Sequence, residues 1–142
     1  RLPAADMWRI TLLVSIGMAF INFASILIIE QLVHFKFLTM NAAIDHSGVG
    51  FAILILSAVS MLYAFIGACL IIFLAPGCGG SGLPENKCYL NGSPMPGLFT
   101  KTTLGVRIAT TILSNAAGFP VGREGPTVTI GSNYAYLLSM RL

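Results

Sequence analysis

Charge is what this 142-residue chain has least of: Lys and Arg number 8, Asp and Glu 5, and together they make up 9% of the residues. Soluble domains carry about 25%. The scarcity is also uneven, with no Asp, Glu, Lys or Arg between Arg9 and Glu30 or between Asp45 and Glu85. Runs of that length exclude an ordinary soluble domain, because each holds the roughly 20 mainly apolar residues that cross a bilayer. The first run is too long for a signal-peptide core of about 7–15 residues, and a second span follows it. Cysteine is sparse as well. Cys69, Cys78 and Cys88 are odd in number and lack CxxC spacing, which excludes a structural metal site or redox pair on sequence grounds. The formal net charge of +3 is scattered, with no basic block interleaved with aromatics, so no nucleic-acid partner is expected.

What fills the chain is apolar: 56% of the residues are hydrophobic, and the mean hydropathy is +0.85. Residues from about 7 to 38 read as one long helix, in which Gly17, Ala19, Ala24 and Ser25 let a neighbouring helix approach closely. Such a helix exceeds the hydrocarbon thickness and must tilt. The stretch Thr39 to Gly50 reads as a polar connection. A second span, about 51–76, ends at Pro76 and the cluster Gly77, Gly79, Gly80 and Gly82. Arg1 and Arg9 flank the first span on one side, against Lys36 alone on the other, which places the N-terminus in the cytoplasm. Glu30, Asp45 and Lys36 are expected to be solvated or to snorkel to the interface, and His34 and His46 to be interfacial.

Beyond Pro76 the apolar segments shorten. A short helix is expected at about 84–91, a loop from Asn91 to Gly97, and helices at about 99–117 and 124–140, with Gly118 and Pro120 between them. Short hydrophobic segments interrupted by Gly and Pro are the best sequence pointer to a transport site near the bilayer midplane. The expected fold is therefore all-α and polytopic, with two full transmembrane helices followed by short, broken and tilted ones. The chain begins at Arg1 rather than Met and reads as a segment of a longer protein.

Two glycine-framed stretches carry the chemistry. In Gly80-Ser81-Gly82-Leu83-Pro84-Glu85, glycines let the backbone approach a ligand, and the proline pre-sets the first helical turn. Free N–H groups then point back toward Ser81, whose hydroxyl is a further donor. A helix N-terminus favours an anion by about 0.3–1 kcal/mol, and by up to about 2 when partly buried, too little alone to dehydrate a halide. Gly122-Arg123-Glu124-Gly125-Pro126 opens the next helix with a carboxylate between short apolar segments. A charge at the bilayer centre costs about 2.5–3.5 kcal/mol, so Glu124 is a functional candidate. Occupying an anion-attracting helix end, its side chain would act as a tethered anion, and protonation would remove it. Gly77 to Gly82 also fits GxGxxG, but an apolar span precedes it and no βαβ pattern follows, so a dinucleotide site is excluded. Asn91-Gly92-Ser93 fits the glycosylation sequon but is read as a turn before Pro94.

The two stretches resemble signature motifs of the CLC family of chloride channels and proton/chloride exchangers, in the family's order and at a family-like interval. Lys87-Cys88-Tyr89-Leu90-Asn91-Gly92 and Thr127-Val128-Thr129-Ile130-Gly131 extend the similarity, which covers nearly the whole chain as a partial CLC-type transmembrane domain, 1–142. The resemblance implies chloride binding by Ser81, Gly82 and Gly125, a gating role for Glu124, and supporting positive potential from Arg123 and Arg107. It implies chloride, with or without coupled protons, as the transported ligand. No cofactor, metal or enzymatic chemistry is implied. A homodimer in a lipid bilayer is expected, as a multi-pass protein of the plasma membrane or an endomembrane. Where nitrate-preferring relatives carry proline, this chain has Ser81, which implies chloride preference. Glu85, past the proline, is read as scaffold. The family's third signature, coordinating tyrosine and internal proton glutamate are not found in this chain. Channel and exchanger remain open, as does a truncated, non-conducting subunit that assembles with or regulates a complete partner.

Overall fold

The computed structural model describes residues 4–95, 97–122 and 124–140, with residues 4, 5 and 45–47 described by their backbone alone. Five α-helices follow in order: α1 (Ala4–Ser47), α2 (Val49–Leu74), α3 (Leu83–Leu90), α4 (Lys101–Ala117) and α5 (Glu124–Ser139). A single 3-10 turn, Pro76–Cys78, lies between α2 and α3, and no strand occurs among the described residues. The chain is all-α. Both α1 and α2 are long and apolar enough to cross a membrane.

With 44 residues, α1 runs on past the expected span. The residues expected to form a polar connection continue the helix to Ser47, and the break falls on Gly48 alone, at φ 83°. Within the helix the Thr39 hydroxyl donates to the Lys36 carbonyl at 2.8 Å, so it does not compete for the backbone elsewhere. Ala42 and Ala43, strong helix formers, follow. Polar residues here interrupt the apolar pattern without interrupting the helix. At about 1.5 Å per residue α1 is about 66 Å long, roughly twice the hydrocarbon thickness, and it must tilt or protrude.

The other helix ends have local causes. The Ala75 N–H donates to the Ile71 carbonyl at 3.1 Å, and Pro76, without an N–H, cannot continue the ladder, so α2 stops at Leu74 rather than 76. Thr100 caps α4, its hydroxyl accepting from the Thr103 N–H at 3.1 Å. Gly118, at φ 94°, ends α4 with its N–H donating to the Asn115 carbonyl.

In the packing α2 touches both α1 and α4, α1 also reaches α4 and α5, and α5 rests on α3 and α4. The apolar contacts form two small clusters. One gathers Tyr63, Ala116 and Ala117 with Leu32, Val33, Val59 and Leu113. The other joins Ala75, Cys78 and Val106 with Leu70 and Ile71. Between α1 and α5 the approach is closest at Gly17, where an added Cβ would lie 2.5 Å from the Tyr134 ring. One turn along α5, Gly131 faces Met18.

Lys36 departs from the sequence expectation, which put it at the interface. It is buried, and its ammonium donates to the Ala116 carbonyl at 2.9 Å and the Ala117 carbonyl at 3.2 Å. These carbonyls close α4, where the helix dipole concentrates negative potential. A cation in this partly buried geometry contributes up to about 2 kcal/mol. The residues around Lys36 on α1 give no hint of this, because the partner is 80 residues away.

Replacing Gly17 with Val should force the Tyr134 ring aside and lower stability by about 1–3 kcal/mol, as overpacking does. Thermal unfolding of the full-length protein in detergent should show a drop of several degrees, partly recovered in a Gly17→Val, Tyr134→Ala double variant. An unchanged midpoint in the single variant would exclude a tight α1–α5 contact.

Candidate functional site

The site is built where the chain leaves α2. Four glycines between Gly77 and Gly82 allow a tight path, and at Gly82, φ 73°, only glycine is unstrained. A Cβ there would lie 2.5 Å from Arg107 Nη1 and 2.7 Å from Thr129 Cγ2, so side chains close in from α4 and α5.

Arg107 is 2% exposed, and it spends its guanidinium on this loop. Nη1 donates to the Gly80 carbonyl at 2.9 Å and Nη2 to the Gly77 carbonyl at 3.4 Å. Because a trans peptide sets C=O and N–H on opposite sides, drawing the Gly80 carbonyl toward Arg107 turns the Ser81 N–H away from it. The loop therefore gives its acceptors to a buried cation and its donor to the opposite side.

The start of α5 packs against Ser81. A Cβ on Gly125 would meet Ser81 Cβ at 2.9 Å and Ser81 Oγ at 3.6 Å. Thr129, 1% exposed, donates its hydroxyl to the Ser81 carbonyl at 2.9 Å, and it also approaches the Gly125 carbonyl at 3.2 Å. Farther along, Asn86 Nδ2 donates to Ser132 Oγ at 2.9 Å. Contacts that advance together along both helices mean that α3 and α5 run side by side with their N-termini at the same end. The Ser81 hydroxyl accepts from the Leu83 N–H at 3.4 Å, a long bond that leaves its proton free to donate.

A cavity of about 430 Å³ opens between this junction and α4, lined by Gly80, Ser81, Arg107, Gly122 and Pro126. Thr110, Thr111, Ser114 and Asn115 of α4 complete its polar wall. Three of these wall residues turn donors back into their own helix: Thr110 to the Val106 carbonyl at 2.9 Å, Thr111 to the Arg107 carbonyl at 2.7 Å, and Asn115 to the Thr111 carbonyl at 2.7 Å. Besides the Ser114 hydroxyl, which is not turned back in this way, the donors free to meet an anion are those of Ser81 and the helix starts.

The structure therefore brings Ser81, Gly82, Gly125 and Arg107 into one cluster. Glu124 is exposed at the first position of α5, between Gly122 and Pro126, which both line the cavity. Arg123 lies outside the described residues. Glu85 lines a separate cavity of about 550 Å³ with Pro76, Gly77 and Thr100. One of its carboxylate oxygens is buried without a hydrogen-bond partner. Asn86 and the polar wall of α4 are missed by the sequence reading, which includes Thr129 in a motif without giving it a role. The signal was present: Thr110 and Ser114, like Thr111 and Asn115, are four apart on one helix face.

The chain matches the family described as "Voltage gated chloride channel" over residues 62–142, which takes in the second half of α2 and the whole site. It is 33% identical to a Bos taurus "H(+)/Cl(-) exchange transporter 7" over 110 residues, covering 75% of this chain and 14% of that protein. It is 30% identical to the Homo sapiens protein of the same name over 129 residues, 88% of this chain and 16% of the relative. An Arabidopsis thaliana "Chloride channel protein CLC-c" is 34% identical over 131 residues, 92% of this chain and 17% of the relative. The chain thus spans 14–17% of the length of these relatives.

Gly82→Ala combines a left-handed backbone, about 1–3 kcal/mol in itself, with a clash against a buried guanidinium. It should sharply reduce the folded, membrane-inserted yield. Gly80→Ala, with open space around its Cβ position, should be tolerated. Equal yields of both variants in detergent-extracted membranes would refute this account of the loop.

Proposed function

We propose that this chain, which belongs to the voltage gated chloride channel family, forms part of a pathway that carries chloride across a membrane. The reading is supported most by one observation: Ser81 meets the start of α5 at the parallel N-termini of α3 and α5, while Arg107 takes up the loop carbonyls. A chloride entering the cavity would shed part of its water and accept hydrogen bonds from the Ser81 hydroxyl and N–H. The N–H groups near Gly82 and Gly125 would complete its shell on this side. Each helix end contributes up to about 2 kcal/mol in a partly buried setting. Two such ends fall short of the dehydration cost, so further donors must come from the rest of the full-length protein.

Glu124 is assigned as the gate. Its carboxylate sits at the helix end that attracts anions and competes with chloride there; once protonated, it no longer competes. Arg123 and Arg107 raise the positive potential without binding the ion directly. No bond is made or broken, so neither a cofactor nor a metal has a role. Two apolar helices anchor the segment in lipid, and the functional unit is taken as a homodimer with one pathway in each subunit.

Chloride and proton flux measured together on the full-length protein in liposomes tests the gate. Glu124→Gln should abolish proton coupling or pH dependence, while chloride flux persists. Unchanged coupling and pH response would overturn the assignment. The Ser81 assignment has a separate test. Ser81→Pro removes a hydroxyl and an N–H from the anion's shell and should raise the nitrate-to-chloride flux ratio severalfold; an unchanged ratio would count against Ser81 as a ligand.

A further inference from the structure

Among the described residues two cations are buried, Lys36 and Arg107, and the mechanism above uses only Arg107. An ammonium is expensive to bury in a membrane protein unless it is held by partners, so its position calls for a function. Lys36, from α1, holds the last two carbonyls of α4 at 2.9 and 3.2 Å. Directly after them comes Gly118 at φ 94°, where an added Cβ would sit 3.4 Å from the Lys36 ammonium. The segment that follows is folded back on the same helix end. The Phe119 N–H donates to the Ser114 carbonyl at 3.3 Å, and the Val121 N–H donates to the Phe119 carbonyl at 2.8 Å. Val121 and Gly122 then line the cavity of Ser81, and Glu124 begins α5.

We infer that Lys36 is a positioning residue for the gate: by clamping the C-terminus of α4 it fixes where the 118–122 segment delivers Glu124. The clamp also includes α2, since the Tyr63 hydroxyl donates to the Leu32 carbonyl at 3.3 Å, one turn before Lys36, and Tyr63 packs on Ala116 and Ala117. A tether at the root of a five-residue segment limits how far its tip can wander. Without it the carboxylate would be delivered to a spread of positions, and few of them would exchange productively with chloride. An apolar side chain of similar length would fill the same space, but it offers no N–H donors to the two carbonyls. This inference rests on Glu124 being the gate.

Chloride flux of the full-length protein in liposomes, normalised to monodisperse reconstituted protein, tests it in two backgrounds. With Glu124 present, Lys36→Met should lower chloride turnover at least about fivefold, and Lys36→Arg should restore it to within about twofold of wild type. In the Glu124→Gln background, Lys36→Met should change turnover by less than about twofold, because there is no gate left to misplace. Equal losses in both backgrounds, or no loss in either, would overturn the inference while leaving the gate reading intact. Should Glu124→Gln keep the wild-type pH response, the gate reading fails and this inference with it. Where Lys36→Met does not fold, Lys36→Gln, which keeps an N–H donor without the charge, takes its place. Failure of both to fold would assign Lys36 to the scaffold alone and also overturn the inference.

Discussion

The turn of two glycine carbonyls toward one buried guanidinium is the contact on which the site depends. Arg107 suits this task because its planar fork presents several N–H donors in fixed directions, and a lysine ammonium could not reproduce them. Once the Gly77 and Gly80 carbonyls accept from it, the remaining geometry follows. Gly82 has to pass within reach of the same guanidinium, which leaves no room for a Cβ. Ser81 is then placed with its carbonyl open to Thr129, and that bond fixes the start of α5 beside the start of α3. The direction of the Ser81 N–H is a consequence of where the Gly80 carbonyl is held.

Both buried cations meet neutral main-chain carbonyls rather than carboxylates, and Arg107 Nε is left without a partner among the described residues. Among the described residues the single ion pair is Arg9 with Asp6 at 3.4 Å, on an exposed turn of α1. A carbonyl relieves the hydrogen-bonding demand of a buried cation but does not cancel its charge. Lys36 and Arg107 therefore leave a net positive field in and around α4, where low dielectric and poor screening let it extend further than it would in water. Such a field would favour an anion in the cavity that Ser81 and Arg107 line. Pairing either cation with a buried Asp or Glu would have satisfied it equally well and abolished that field.

How much of this was legible in the sequence depended on how local the cause was. The two spans, the breaks at Pro76 and Gly118, and the helix starts near Pro84 and Glu124 follow from nearest neighbours, and the helices begin and end within a few residues of those signals. The end of α1 was misplaced because Thr39, Asn41 and Asp45 break an apolar pattern, whereas a helix needs only its backbone bonds once it leaves the hydrocarbon. Lys36 was misjudged because its partners lie 80 and 81 residues away. The motif residues Ser81 and Gly125 were legible as candidates one at a time. Their contact depends on Thr129 and Asn86, whose roles appear only when α3 and α5 are side by side. The polar wall of α4 lay in plain view at four-residue spacing, inside a segment that its lack of charge made look merely apolar.

The thin apolar core fits a chain made for lipid. Large side chains such as Phe73, 81% exposed, and Trp8, 77% exposed, face outward on helices that a bilayer or further protein would cover. In hydrocarbon there is no gain from hiding a Phe against another helix, so association must come from close backbone approach and polar contacts. The contacts that hold this segment are of that kind: Gly17 under Tyr134, Lys36 on the end of α4, Asn86 on Ser132, and Arg107 under the glycine loop. Sensitivity to substitution should therefore concentrate at small and polar positions rather than at the bulky apolar ones, the reverse of a water-soluble core. The contacts that assemble the helices also set the backbone around Ser81, so in this segment helix packing and the geometry of that loop draw on the same hydrogen bonds.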